Sequence, residues 1–223
     1  MNKAELAKKI DHTLLGPTAS TEALRTLCEE AVQFGVASVC VNPCHAAAAV
    51  DILRETPVAV CVVIGFPHGM TLSEVKAFEA QKAIALGVDE LDMVVNVAAL
   101  IEGDYAAVVD DIRAVCHAAE AAPRPVEVKV ILETAFLTDE QKVAGAILAK
   151  AAGAHFVKTS TGFGPGGATV EDVALLRRTV GSIMGVKAAG GIRDSQTAIA
   201  MVEAGATRIG ASRTAAILEG VSE

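Results

Sequence analysis

The feature that most constrains the fold is a junction that recurs along the chain: a helical segment ends at a glycine, and an apolar, β-branched run begins at once. Glycine after the last helical residue is the usual left-handed stop for a helix. The junction occurs at residues 34–42, 86–96, 152–160 and 204–212. Four further apolar runs bring the expected strands to eight: residues 10–14, 58–65, 126–134 and 185–191.

The segments between these runs have helical spacing of apolar residues and several capping signals. Thr138 followed by Gln141 fits the capping box, and Asp194 suits an N-cap. Thr71 followed by Glu74 predicts another capped helix start.

Strand and helix therefore alternate eight times in 223 residues, and the strands are almost continuously apolar. That pattern is typical of parallel strands that are covered by helices on both faces. We predict one domain over residues 1–223, an α/β fold of the compact (β/α)8 TIM-barrel type. A doubly wound open sheet is the alternative. No linker or low-complexity stretch divides the chain.

Hydrophobic residues make up 52% of the chain, so a membrane span has to be considered. The longest apolar run, residues 58–66, is only about half of the roughly 20 residues that a transmembrane helix needs. The N-terminus has neither the apolar core nor the cleavage site of a secretory signal. We therefore expect a cytoplasmic protein with no membrane partner.

The charge and the residue types exclude several classes of ligand. The formal net charge is −8 with one tyrosine, no tryptophan and no basic run, which argues against nucleic-acid binding. The five cysteines lack zinc-ligand spacing and the five histidines are scattered, so we expect no disulfide, metal or cofactor. His12 and His155 are interpreted as hydrogen-bonded strand residues rather than as acid–base groups.

In a TIM barrel the active site lies at the C-terminal ends of the strands. Polar residues late in the expected strands, or just after them, are therefore the candidates. They are Asp11, His12, Asn42, Asp92, Asn96, Lys129, Glu133, Lys158, Thr159–Thr161, Lys187 and Ser212.

Lys158 and Lys187 fall on consecutive strands, the sixth and the seventh, and both lead into glycine loops. Paired parallel strands lie about 5 Å apart, so two ammonium groups there should depress the pKa of at least one lysine. A neutral amine attacks carbonyls, which predicts Schiff-base chemistry. The alternative is that each lysine pairs with a barrel carboxylate such as Asp92 or Glu133.

Asp92 lies in the apolar strand ELDMVVN, where lysines would keep it ionised. It is a candidate for proton transfer through water or, alternatively, a counter-ion. Lys129 lies between Glu127 and Glu133, which favours a paired, supporting role.

Three glycine-rich segments follow the last three strands, at residues 161–169, 189–194 and 209–212. TIM barrels often bind phosphate with the loops after strands seven and eight, because glycine lets backbone amides approach an anion closely. Arg193 is a further candidate for this site or forms a surface salt bridge.

Seven segments together resemble the deoxyribose-phosphate aldolase family: IDHTLL, VCVNP, GFPHG, ELDMVVN, FVKTSTGFGPGGAT, VKAAGGIR and RIGAS. They follow one another over essentially the whole chain. The resemblance implies a metal-free class I aldolase on a TIM barrel, active on small sugar phosphates and aldehydes. It would reversibly cleave 2-deoxy-D-ribose 5-phosphate to acetaldehyde and D-glyceraldehyde 3-phosphate, in deoxynucleoside catabolism. It also implies a homo-oligomer, a dimer or a tetramer.

The resemblance assigns roles that spacing alone leaves open. It implies that Lys187 forms the Schiff base, that Lys158 lowers the pKa of that amine, and that Asp92 transfers protons. The implied substrate contacts are Thr161 at the sugar and Gly162, Gly190, Gly191 and Ser212 at the phosphate.

A few positions depart from the family pattern. Gly16 stands where many members have lysine, and Phe163 stands where some members have lysine. Arg213 stands where some members have serine. Some members carry a tail tyrosine that reaches the active site, whereas Tyr105 is the only tyrosine of this chain. These departures bear on phosphate affinity and on which group protonates the product enamine.

Three other functions are compatible with the same barrel. One is a Schiff-base aldolase or transaldolase with another substrate, which the choice of sugar phosphate would distinguish. Another is an isomerase or synthase without covalent chemistry, which borohydride trapping would exclude. The third is a sugar-phosphate sensor, which would bind its ligand without turnover.

Overall fold

The computed structural model describes residues 1–221, in which eight parallel strands close into a barrel in sequence order. The strands are β1 (Ile10–Leu14), β2 (Ser38–Val41), β3 (Ala59–Ile64), β4 (Glu90–Val94), β5 (Glu127–Ile131), β6 (Phe156–Lys158), β7 (Gly185–Ala189) and β8 (Arg208–Ala211). The predicted TIM barrel is confirmed, and the open sheet is excluded because β8 pairs with β1.

Helices surround the barrel and add short segments at its ends. They are α1 (Lys3–Ala7), α2 (Thr21–Phe34), α3 (Ala46–Leu53), α4 (Ser73–Leu86), α5 (Val97–Glu102), α6 (Tyr105–Glu120), α7 (Asp139–Ala151), α8 (Val170–Val180), α9 (Ser195–Glu203) and α10 (Thr214–Glu219). Pro43–His45 and Thr134–Phe136 form 3₁₀ turns. No helix within residues 1–221 is both long and apolar enough to span a membrane.

The helix ends follow the sequence signals at most positions. Gly35 closes α2 in the left-handed conformation, with φ of 66°. The capping box of Thr138 with Gln141 forms at the start of α7, and Asp194 caps α9 as predicted.

The predicted capping box at Thr71 is wrong, because α4 begins at Ser73 with Leu72 as its N-cap. Ser73 turns its hydroxyl to Asp111 on α6, at 3.1 Å. Lys76, one turn later, is buried against the same carboxylate at 2.6 Å. These tertiary contacts set the start of the helix in place of the local signal.

The hydrophobic core lies between the barrel wall and the helices, where the outward-facing strand residues are fully buried. The barrel interior differs, because charged side chains from several strands fill part of it. Lys158 is the register partner of Lys187, and Asp92 that of Lys129. Parallel register partners point to the same face, so these four side chains meet inside the barrel.

Candidate active site

Seven charged side chains from six strands meet inside the barrel: Asp11 (β1), Glu90 and Asp92 (β4), Lys129 (β5), Lys158 (β6), Lys187 (β7) and Arg208 (β8). We call these residues the barrel cluster. Lys129, Lys187, Asp11 and Asp92 are completely buried, and Lys158 is 3% exposed. Charges at this depth need partners, since removing an ammonium or a carboxylate from water is costly.

Asp92 is the centre of the barrel cluster. Its Oδ2 atom accepts hydrogen bonds from the Nζ atoms of Lys158 and Lys187, each at 2.7 Å. Its Oδ1 atom accepts from Lys129 Nζ at 3.0 Å and from the Cys61 thiol at 3.1 Å. Both predicted catalytic lysines therefore contact one carboxylate oxygen, as close strand pairing requires.

A second carboxylate holds Lys187 from the other side. Lys187 Nζ lies 2.5 Å from Asp11 Oδ2, and Arg208 contacts Asp11 Oδ1 at 2.7 Å. Arg208 continues to Glu90 at 3.0 Å, and Glu90 contacts Lys129 at 2.6 Å. Six members of the cluster thus form a closed ring of alternating charges, and Lys158 is attached to it through Asp92.

The pKa values follow from this ring. Burial raises the pKa of Asp92, but Lys129, Lys158 and Lys187 together hold it well below its usual range. Burial lowers the pKa of Lys187, and Asp11 and Asp92 outweigh it, so that the net shift is upward. Repulsion between the lysines was expected to lower the pKa of at least one of them. Lys187 does not show this lowering, because its ammonium lies between the carboxylates of Asp11 and Asp92.

The formal charges of the cluster do not cancel. Four cationic side chains face three carboxylates, which leaves one surplus positive charge. Glu127 lies 3.7 Å from Arg208 but is 44% exposed, so solvent screens it. The loss of one lysine proton would bring the formal charge of the buried cluster to zero.

A cavity of about 280 Å³ opens at the C-terminal end of the barrel above the cluster. It is lined by Lys158, Thr161, Gly162, Gly190, Gly191 and Ser212, the predicted residues, and also by Arg193 and Gly210. A Cβ atom on Gly210 would lie 3.2 Å from Lys187 Cε. Glycine at this position leaves room for the Lys187 side chain and for Ala189, and it brings the predicted nucleophile next to the cavity wall.

The glycine loops shape one side of the cavity. Gly162, Gly190 and Gly191 have φ of 85°, 88° and 80°, which L-residues rarely adopt. A Cβ atom on Gly167 would collide with the backbone of Gly190, so these loops pack against each other through bare backbone. Such close backbone suits the binding of an anion.

The Thr161 hydroxyl is held by Glu133, which also accepts the Thr161 backbone N–H at 3.2 Å. Glu133 is the one non-glycine residue within residues 1–221 with a positive φ, 58°. The Glu133 carboxylate accepts hydrogen bonds from Thr161 and contacts no lysine within residues 1–221. Glu133 is therefore not a lysine counter-ion. Phe163 follows in the same loop and packs edge-on against Phe66.

The other candidates lie apart from the cluster. His12 bonds Glu30 at 2.9 Å and Thr214 at 2.8 Å, and His155 accepts the Val128 backbone N–H. Asn96 caps α5. The two histidines therefore have the satisfied roles that were predicted for them, although His155 lies just before β6.

The sequence alone did not single out Glu90, Arg208 or Cys61. The candidate positions were those late in the strands, whereas Glu90 and Arg208 are each the first residue of a strand. Strands of a closed barrel are tilted and staggered, so the start of one lies level with the end of another. Glu90 could have been found from alternation, since it lies two residues before Asp92 and faces the same side.

One group of potential metal ligands is present in the described residues: Cys40, Cys61 and Asp92. Three ammonium groups already occupy the oxygens of Asp92, so a cation at this point would meet concentrated positive charge. The donor set therefore does not suit a metal ion while the lysines are protonated.

The chain is similar to known aldolases over nearly its whole length. A family model described as DeoC/LacD family aldolase matches residues 6–222. A deoxyribose-phosphate aldolase from Clostridium perfringens is 53% identical over 220 residues, or 99% of this chain and 97% of that protein. One from Thermococcus kodakarensis is 54% identical over 225 aligned positions and covers 100% of both chains.

A solved structure is also closely similar. The deoxyribose phosphate aldolase from Aeropyrum pernix, described as a unique tetramer, matches 97% of this chain and 91% of its own. The two share 35% sequence identity and superpose with a TM-score of 0.90.

Proposed function

The chain belongs to the DeoC/LacD family of aldolases, and from this premise we propose that it reversibly cleaves 2-deoxy-D-ribose 5-phosphate through a Schiff base on Lys187. The products are acetaldehyde and D-glyceraldehyde 3-phosphate. The observation that carries the proposal is the place of Lys187. Its amine lies between Asp11 and Asp92, and its side chain lies next to the cavity wall at Gly210.

Lys187 must lose a proton before it attacks C1 of the open-chain sugar. Asp11 and Asp92 lie at hydrogen-bond distance and offer two routes for that proton. Lys158 shares Oδ2 of Asp92 with Lys187, so its charge opposes a second cation there. The iminium that forms returns the positive charge to the place between the two carboxylates, which stabilises it.

Asp92 is the proposed proton carrier for carbon–carbon cleavage. The iminium acts as an electron sink while the C3 hydroxyl loses its proton to Asp92 through water, and the C3–C4 bond breaks. The remaining enamine of acetaldehyde is protonated at carbon and hydrolysed from Lys187. The buried lysines keep Asp92 ionised and able to accept a proton.

The cavity wall is the proposed substrate site. Gly162, Gly190, Gly191 and Ser212 would hold the phosphate, and Thr161, fixed by Glu133, would contact the sugar. Phosphate binding far from C1 supplies energy that positions the carbonyl against Lys187. The surplus positive charge of the cluster also favours an anionic substrate.

We further propose a cytoplasmic homo-oligomer, a dimer or a tetramer. The tetramer described for the Aeropyrum pernix relative supports the association. Three apolar side chains around the start of α4 are more than half exposed: Met70, Leu72 and Phe78. They provide apolar surface for an interface between subunits. Light scattering after size-exclusion chromatography measures the mass, and a monomer at micromolar concentration would refute the association.

The test of the mechanism is chemical trapping. The protein is incubated with acetaldehyde and a mild hydride donor, and the modified peptide is mapped by mass spectrometry. We expect a two-carbon adduct on Lys187, together with cleavage of deoxyribose 5-phosphate in preference to other sugar phosphates. An adduct on Lys158 alone would reverse the roles of the lysines. No site-selective adduct and no cleavage would refute the proposal.

A further inference from the structure

Two cysteines lie on the inner face of the barrel next to the proton carrier. Cys40 on β2 and Cys61 on β3 are register partners, and both are completely buried. Their sulfur atoms and the nearest oxygen of Asp92 all lie within 4.8 Å of one another. Cys61 donates its thiol to Asp92 Oδ1 at 3.1 Å, and Lys129 Nζ reaches the same sulfur at 3.5 Å.

The pair has the geometry that a disulfide needs. Register partners on parallel strands have Cα atoms about 5 Å apart, inside the range of about 4.4–6.8 Å found for disulfides. Both side chains point toward the barrel axis, where the curvature of a closed sheet brings neighbouring Cβ atoms together. The bond therefore requires small shifts of the side chains and no rearrangement of the strands.

The two thiols also differ in the way that a reactive and a resolving cysteine differ. The contact with Cys61 and the charge of Lys187 lower the pKa of Cys40 against the effect of burial. Burial and the contact with Cys40 raise the pKa of Cys61. Burial likewise raises the pKa of Cys28 to about 11 and that of Cys116 to about 12. Among these buried thiols, Cys40 is the one that favours the reactive thiolate.

We propose that Cys40 and Cys61 form a site of oxidative modification, in which a peroxide converts the pair to a disulfide and reversibly inactivates the enzyme. The Cys40 thiolate attacks one peroxide oxygen, the O–O bond breaks, and hydroxide leaves and takes up a proton. The Cys61 sulfur then attacks the Cys40 sulfenic acid, and water leaves with the Cys61 proton. Two thiols lose two electrons and the peroxide is reduced to two water molecules.

The disulfide would inactivate the enzyme because Cys61 would lose its hydrogen bond to Asp92. The bond draws two sulfur atoms that now lie up to 4.8 Å apart to about 2 Å, so Cys61 no longer donates to Asp92 Oδ1. Cys40, whose sulfur lies 4.0 Å from Asp92 Oδ2, also loses its proton, so Asp92 keeps only the three lysines of its five contacts and is held less firmly. Displacements of about 1 Å near an active site cost on the order of 10²-fold in rate, so we expect at least a tenfold loss of activity.

The route of the oxidant passes the cavity. Leu15 packs in one small cluster with Cys40, Cys61 and Val63, and it also lines the cavity above the barrel. Hydrogen peroxide is little larger than water, and Leu15 joins the cavity to the two cysteines. A bound sugar phosphate would fill the cavity, so we expect substrate to slow the oxidation.

The test uses hydrogen peroxide on the whole protein, with intact mass and peptide mapping as readouts. The control is a Cys28→Ser/Cys44→Ser/Cys116→Ser variant, in which Cys40 and Cys61 are the remaining cysteines. We expect a loss of two hydrogen atoms, a Cys40–Cys61 linked peptide, and a parallel loss of activity that dithiothreitol reverses. The mass readout is independent of whether deoxyribose 5-phosphate is the substrate.

A second variant, Cys61→Ser in the same background, separates the two cysteines. Oxidation of Cys40 should then stop at the sulfenic acid, which dimedone traps. No Cys40–Cys61 disulfide should be present for dithiothreitol to reduce. Linkage through Cys44, oxidation of Cys61 before Cys40, or a loss of activity without the linked peptide would overturn the proposal.

Discussion

Two groups of buried lysines lie on opposite sides of the same barrel wall, a single lysine outside and three inside. Lys76 is on α4, outside the barrel, where its Nζ atom donates to Asp111 at 2.6 Å and to the Val94 backbone carbonyl at 2.9 Å. Lys129, Lys158 and Lys187 are inside and share the single carboxylate of Asp92. The outer lysine has one carboxylate partner, whereas the three inner lysines all contact Asp92, and Lys129 and Lys187 each have a second carboxylate, Glu90 and Asp11.

The pKa shifts of the two groups run in opposite directions. Burial lowers the pKa of Lys76, and Asp111 compensates only in part. The pKa of Lys187 is raised, because Asp11 and Asp92 outweigh burial. A lowered amine pKa therefore does not identify the nucleophile in this resting structure. Position relative to the cavity separates the two groups instead, because Lys187 lies against Gly210, which lines the cavity together with Lys158, whereas Lys76 is buried between α4 and α6.

The largest effect should come from Lys187→Met, which removes the proposed nucleophile. We expect cleavage of deoxyribose 5-phosphate to fall by at least about 10⁴-fold, the scale seen when a covalent group is lost. The fold should survive, because Asp11 keeps Arg208 and Asp92 keeps Lys129 and Lys158. Steady-state kinetics and circular dichroism measure the two effects. If the variant is inactive because it is unfolded, Lys187 contributes to stability as Lys76 does, and the contrast between the two groups is lost.

Lys76→Met should have the reverse profile, with lower stability and nearly normal chemistry. Asp111 would remain buried without its cation, and breaking such a pair costs about 3–5 kcal/mol of the free energy of unfolding. Urea unfolding measures this loss. The double variant Lys76→Met/Asp111→Leu is the matched control and should recover most of the stability. A loss of kcat far beyond tenfold in the folded single variant would assign Lys76 to the active site.

The sequence predicted much of the inner group and little of the outer one. Lys158 and Lys187 stood out because they lie in consecutive apolar strands that lead into glycine loops, and register pairing then brings them to one carboxylate. The ring through Asp11, Arg208 and Glu90 depends on barrel stagger, which no local pattern encodes.

The outer pair illustrates the same limit. Lys76 and Asp111 lie 35 residues apart on two helices, and each looks like an ordinary helical surface residue. The same Asp111 also contacts Ser73, where α4 begins in place of the start predicted from the Thr71 cap. Local signals therefore locate elements and strand-end chemistry, whereas buried ion pairs between elements have to be read from the packed structure.

The smallest effect, and the one that tests the pKa contrast itself, is the dependence of stability on alkaline pH. An unfolded lysine has a pKa of about 10.4. Because the folded pKa of Lys76 is lower, the unfolded chain binds more protons in the window below 10.4, and stability from this residue rises with pH there. For Lys187 the folded pKa is higher, so its contribution is complete below 10.4 and is lost as pH rises beyond it.

Unfolding free energies of the wild type, Lys76→Met and Lys187→Met between about pH 8.5 and 11 isolate the two contributions. The difference between wild type and Lys76→Met should grow as pH approaches 10.4, because the buried ammonium can then release its proton. The difference between wild type and Lys187→Met should stay level and then shrink above that pH. Parallel curves for the two variants would mean that the barrel cluster holds Lys187 no more firmly than Asp111 holds Lys76.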